Sequence, residues 1–153
     1  MTENVDAKDL KLLELLQNNS KLTSSQISKK TGLPITTVHN RIKKLEKNGV
    51  IKKYSLELNK NKLGLNITTY IFASIDYPRE AKDSKKKFSQ EDIAKKIRSL
   101  TEVDSVSIVT GETDLIIKVS TQNIDSLNEF IIKKLRNIDG IDKTRTAVIL
   151  KEY

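Results

Sequence analysis

Between Thr36 and Lys47 the chain sets short hydrogen-bonding side chains among cations: Thr36, Thr37, His39, Asn40, Arg41, Lys43, Lys44 and Lys47. That mixture suits a duplex, with cations meeting phosphates and amide, imidazole and hydroxyl groups meeting base edges. Asn40 has the geometry for bidentate pairing with adenine. Thr36 and Thr37 suit phosphate at a helix N-terminus, and the lysines supply affinity that ignores sequence and falls with salt. Lys52 and Lys53 follow closely and extend the basic surface as a wing. Arg41 has a second reading, because it lies partly toward the apolar side of the same helix and suits a structural role. A merely solvated lysine face is the alternative for the whole group, and the surroundings weigh against it.

Those surroundings begin with charge. The 153 residues carry 28 Lys/Arg and 20 Asp/Glu, net +8. Residues 1–60 hold 12 against 6 and residues 61–153 hold 16 against 14, so the excess is concentrated at the front. Within 29–53, eight basic residues face Glu46 alone, and such a local excess attracts a polyanion. Chemistry of other kinds is excluded by composition. His39 is the single histidine and there is no cysteine, so neither a metal cluster nor a disulfide is expected. There is no nucleophile–base pair and no Gly-rich phosphate loop, so catalytic residues, cofactors and an enzymatic activity are not expected. The polar start, MTENVDAKD, and the lack of a membrane-length apolar run point to a cytoplasmic protein with no membrane partner.

The elements that must position the basic residues follow in order. Val38, Ile42 and Leu45 recur at i, i+4 and i+7, one apolar stripe opposite the cations. Before them, Asp6 caps a helix through about Gln17, with Asp9 at N3 favouring the positive end of its dipole, and Thr23 with Gln26 makes a capping box for a short helix ending near Thr31. Gly32 supplies the turn, Thr36 is expected to cap the basic helix with Ile35 stapled near Asn40–Arg41, and Gly49 closes it. Helix, short helix, glycine turn and basic helix make a helix-turn-helix. Tyr54, Leu56 and Leu58 alternate, which predicts a strand over 50–58. Expected boundaries are a winged helix-turn-helix domain over 1–52, a linker strand and hinge over 53–64, and a second domain over 65–153.

The second domain reads as strand 66–77, loop 78–89, a helix capped by Ser89 and Asp92, strands 103–110 and 114–120, a helix capped by Asp125, and strand 144–150. The order β-α-β-β-α-β is the ferredoxin-like unit, giving an α+β chain overall. Leu127, Ile131, Leu135 and Ile138 are expected to share the second helix's buried face. In the first strand Ile67, Ile71, Ala73 and Ile75 point one way, Tyr70 and Phe72 the other. Two helices cover one face of a four-stranded sheet, so apolar residues on the second face predict a homodimer packed there. Lys82, Lys85, Lys86 and Lys87 in the loop suit either a solvated segment or extra phosphate contact.

Thr110, Gly111, Glu112, Thr113 and Asp114 also admit two readings. They form a hairpin turn, or a site where backbone amides approach a carboxylate while Asp114 or a threonine hydroxyl meets an ammonium. Together with DLKLL near the start, TV-x-x-RIKKLEKNGVI, VTGETDL and TRT before the last apolar pair, this pattern resembles the leucine-responsive regulator/AsnC (Lrp/AsnC) family of transcription regulators, over nearly the whole chain. The resemblance implies a DNA-binding head, double-stranded DNA as partner, and a C-terminal domain that binds amino-acid-like effectors. It also implies dimers that assemble further, commonly to octamers, with effectors held at contacts between dimers, and it raises the effector reading of residues 110–114. Thr144 and Thr146 line the same pocket on this reading. The expected function is therefore an effector-modulated, sequence-specific transcriptional regulator; the alternative is an architectural DNA-coating protein of low sequence preference.

Overall fold

Reciprocal caps start the first two helices, and in the computed structural model, which describes residues 5–76 and 89–151, both form as their sequences require. Helix α1 (Ala7–Asn18) begins where the Asp9 N–H donates to Asp6 Oδ1 at 2.8 Å and the Asp6 N–H donates to Asp9 Oδ2 at 3.2 Å. Helix α2 (Ser24–Thr31) begins with the same exchange between Thr23 and Gln26. Gly32, at φ +73°, turns the chain toward α3 (Ile35–Lys47). Leu12, Leu16, Ile27 and Val38 are buried together, with Leu45 also buried on α3.

Three details differ from the sequence expectation. Helix α3 starts one residue before the predicted Thr36 cap, with Pro34 at the N-cap position and no side-chain cap. Proline's fixed φ suits a helix entry, and having no side-chain acceptor it leaves the first-turn N–H groups of α3 without a side-chain cap. Ile35 is consequently in the first turn and half exposed, not stapled onto Asn40–Arg41. The strand expected over 50–58 does not form: residues 52–59 have no regular secondary structure and no ladder partner among the described residues, and Leu56 is 75% exposed. Alternation describes a strand's two faces, but a strand also needs a second backbone to bond with.

The described residues divide between Leu58 and Asn59 into two compact units. In the second, a 3₁₀ turn (Lys60–Leu63) leads to β1 (Ile67–Ile75), α4 (Gln90–Arg98), β2 (Val103–Ile108), β3 (Leu115–Thr121), α5 (Ile124–Glu129) and β4 (Ile141–Val148). The sheet is antiparallel in the order β2-β3-β1-β4, the ferredoxin-like arrangement. Its helix-covered face buries Ile71, Ala73 and Ile75 of β1 and Leu115, Ile117 and Val119 of β3 against Ile93, Ile97, Leu127 and Phe130. On the other face Tyr70 and Phe72 lie beneath cations, with Lys118 Nζ 5.7 Å from the Tyr70 ring centre and the Arg145 guanidinium 4.9 Å from that of Phe72.

Two helix starts are corrected here as well. Ser89 occupies the N-cap of α4 without a side-chain bond, and α5 is capped by Asn123, whose Oδ1 accepts from the Ser126 N–H, not by Asp125. Helix α5 runs directly into a π-helical stretch, Phe130–Leu135, in which the Arg136 N–H reaches back to the Ile131 carbonyl. That widening moves the buried face: Leu127, Phe130 and Leu135 are in the core, whereas the expected Ile131 and Ile138 only border it. The last strand starts at Ile141, three residues before the predicted 144. The loop expected over 78–89 lies outside the described residues except for Ser89.

The π stretch makes a test. Phe130→Ala should cost about 3–5 kcal/mol by urea denaturation, while Lys133→Ala, on the solvent side with only an exposed pair to Glu129, should stay within roughly 0.5 kcal/mol.

Candidate functional site

In the N-terminal unit the basic helix is anchored by charge as well as by its apolar stripe. Arg41 Nη1 donates to Asp6 Oδ2 at 2.7 Å and to Asp9 Oδ1 at 2.8 Å. The two carboxylates that cap α1 thus also hold the middle of α3. Of the two readings of Arg41, the structural one is what the geometry displays. The Asp9 N–H, then the Arg41 guanidinium, hold the Asp6 carboxyl below its ordinary value of 3.8. Because the folded value is the lower one, the contact stabilises the unit above that pH and fades as pH falls through the folded value.

With Val38 and Leu45 buried and Arg41 tied back, the remaining site residues are turned outward. Thr36, His39, Asn40, Lys43, Lys44 and Lys47 are exposed, and Thr37 is half-buried at the edge. Lys52 and Lys53 are exposed on the segment that follows. Among the described residues no acid pairs with any of these five lysines. Glu46, the one acid of α3, instead accepts from the Tyr54 hydroxyl at 2.8 Å. Burial first, then Glu46, pushes the Tyr54 phenol above its ordinary value, so it stays a donor. The surface is therefore cationic, uncompensated and studded with short polar groups, which is what phosphate contact and base-edge readout require.

In the C-terminal unit, Gly111 has φ +122°, a conformation that glycine adopts without strain, between β2 and β3. The polar groups around it are largely used internally. Asp114 Oδ2 accepts from the Ile75 N–H at 2.8 Å and Oδ1 from Gln90 Nε2 at 3.2 Å, while Thr113 Oγ1 donates to the Ala73 carbonyl at 2.8 Å. Thr110, Gly111, Asp114 and Thr146 do not line the adjoining cleft; Glu112, Thr113 and Thr144 do. This cleft, about 680 Å³, wraps the edge strand β4 and is completed by Phe72, Ser74, Arg136, Asp142, Lys143 and Arg145. Arg136 donates from Nε and Nη2 to Thr144 Oγ1, both at 3.3 Å. Sequence reasoning missed these charged residues. The available signal was that Lys143 and Arg145 alternate with Thr144 and Thr146 along one strand, with Asp142 just before them, so a pocket at its edge collects residues of both faces. Among the described residues no His, Cys, Asp and Glu group could hold a metal ion, and no helix is long and apolar enough to cross a membrane.

Comparison with known proteins agrees with both units. Residues 5–52 match the family described as winged helix-turn-helix DNA-binding, and residues 82–153 the one described as Lrp/AsnC ligand binding domain. An uncharacterized HTH-type transcriptional regulator of Pyrococcus horikoshii is 38% identical over 148 residues, covering 97% of this chain and 94% of that protein. The HTH-type transcriptional regulator FL11 of Pyrococcus furiosus is 34% identical over 97% of this chain and 91% of its own. A transcriptional regulator of Neisseria meningitidis, solved in complex with L-Met, superposes with a TM-score of 0.84 at 28% identity, over 96% of this chain and 90% of that one. Escherichia coli AsnC superposes at 0.80 with 26% identity, over 97% and 93%.

The double use of Asp9 generates a prediction. Asp9→Ala removes half of the α1 cap and one Arg41 contact, and should destabilise the N-terminal unit by roughly 1–3 kcal/mol in thermal or urea unfolding. The salt dependence of any duplex binding should keep its slope, because no phosphate-facing cation is lost.

Proposed function

We propose that this chain, which belongs to the Lrp/AsnC family of HTH-type transcriptional regulators, reads its operator with the outer face of α3 and answers to an amino-acid effector held beside β4. Thr36, Thr37, His39, Asn40, Lys43, Lys44 and Lys47 make the duplex contacts, with Lys52 and Lys53 on the flanking phosphates. The observation that carries the reading is the run of lysines without acidic partners on a helix whose opposite side is buried and ion-paired. The start of α3 adds support, because its first-turn N–H groups meet no capping side chain and suit a phosphate oxygen.

Effector binding is the role we assign to the 680 Å³ cleft, with Glu112, Thr113, Thr144 and Arg136 among its walls. Its mixed charges suit a zwitterion, and the Neisseria relative solved with L-Met supports an amino acid as the ligand class. Gly111 and Asp114 serve this site by shaping and tying down the loop.

The regulator works as a homodimer. Support comes from the half-exposed Tyr70 and Phe72 on the uncovered sheet face, and from Tyr54, Leu56 and Leu58, exposed on a segment without a strand partner of its own. Ile124 and Ile132 leave apolar surface on the helix side, which we assign to contacts between dimers in an octamer. Such a protein acts in the cytoplasm, where its DNA is. The alternative, an architectural DNA-coating protein, uses the same lysines without base readout.

Footprinting separates the two. A regulator protects paired half-sites about one helical turn apart, roughly 34–36 Å, and a coating protein protects any duplex evenly. Replacing Lys43 and Lys44 by Ala should lower the slope of log K against log salt by about one to two units; an unchanged slope removes them from the interface. Sedimentation at micromolar concentration should show a dimer or a multiple of it, and a monomer would contradict the assembly.

A further inference from the structure

The cleft beside β4 has a charge pattern that narrows its ligand. Three cationic side chains, Arg136, Lys143 and Arg145, share it with two carboxylates, Glu112 and Asp142, a balance of three minus two, or +1. None of the five forms an ion pair among the described residues. We infer that this cleft selects an amino acid with an anionic side chain, of the glutamate or aspartate class; the inference rests on the effector reading above.

An amino acid with a neutral side chain brings one carboxylate and one ammonium, and leaves the cleft at +1. All five charged side chains are solvent-exposed, so the preference comes from how many opposite charges the ligand sets against them, and a single carboxylate leaves cations of the cleft without a partner. A dicarboxylic amino acid carries −1 and brings the sum to zero. Its ammonium has Glu112 and Asp142 to meet, and its two carboxylates have the three cations. Arg136 is already oriented by its two bonds to Thr144 Oγ1, which leaves Nη1 to meet a carboxylate. A basic amino acid would raise the balance to +2 and is the worst match.

Apolar side chains are disfavoured for a second, independent reason. Phe72 is the one apolar side chain of the lining, and its ring face is occupied by the Arg145 guanidinium 4.9 Å away. A thioether or branched aliphatic chain therefore finds no apolar wall, whereas pockets that select such groups are lined predominantly by hydrophobic side chains.

The test is calorimetric titration of the full-length protein at pH 7 and fixed ionic strength with L-glutamate, L-aspartate, L-methionine and L-lysine. The expected result is that glutamate or aspartate binds at least about tenfold more tightly than methionine, with lysine weakest. In the Lys143→Glu variant, checked for an unchanged melting profile, that preference should fall by about tenfold or invert toward lysine. Methionine or lysine binding as tightly as the acidic pair would overturn the inference and leave the effector reading standing. If none of the four gives heat or alters assembly, both fall.

Discussion

One-sided burial governs the N-terminal unit. Helix α3 can spare only one face for the small aliphatic core of Leu12, Leu16, Ile27 and Val38, and the Arg41 bonds to Asp6 and Asp9 pin its inner edge to the first turn of α1. Once that side is fixed, Thr36, His39, Asn40 and the three lysines of the helix face solvent, with Thr37 half-buried at the edge. Like charges crowded on an exposed face repel one another, and among the described residues no acid is ion-paired with these lysines, Glu46 accepting instead from the Tyr54 hydroxyl. The arrangement lowers stability slightly and raises attraction for a polyanion, the trade a nucleic-acid-binding surface makes.

The C-terminal unit obeys a related constraint. Two helices cover one face of four strands, and the other face is left with aromatic rings roofed by Lys118 and Arg145. Those cations reduce the apolar exposure of a lone subunit without filling the surface. At the sheet's edge the same strand that supplies Arg145 also supplies Asp142, Lys143 and Thr144 to the cleft. The cleft and the uncovered sheet face thus share β4 and the Phe72–Arg145 contact, which on the proposed function is a short route from effector to assembly.

Local patterns were legible in the sequence, and long-range ones were not. The Asp6 cap, the Thr23–Gln26 capping box and the Gly32 turn form where residues three or four apart decide the outcome, and the β-α-β-β-α-β order follows from each segment's own periodicity; the reciprocal bond from the Asp6 N–H to Asp9 was not foreseen. The strand predicted over 50–58 failed because alternation says nothing about whether a partner backbone exists. Phe130 was missed because a π-helical stretch breaks the 3.6-residue period on which the stripe Leu127–Ile131–Leu135 was drawn. The ties from Arg41 to Asp6 and Asp9 span 35 and 32 residues, beyond any periodic signal. The cleft's cations escaped notice for the same reason: Arg136 becomes a neighbour of Lys143 and Arg145 on β4, and of the expected Glu112, only after the sheet has formed.

The central claim is that the exposed face of α3 is the surface that meets a duplex. Acetylation of lysines read out by mass spectrometry, with and without saturating double-stranded DNA, tests it most directly. The account predicts that Lys43, Lys44 and Lys47 lose reactivity when DNA is present, while Lys95, exposed on α4 of the other unit, keeps more of its own. Equal reactivity of the α3 lysines with and without DNA, under conditions where the protein is bound, would contradict it.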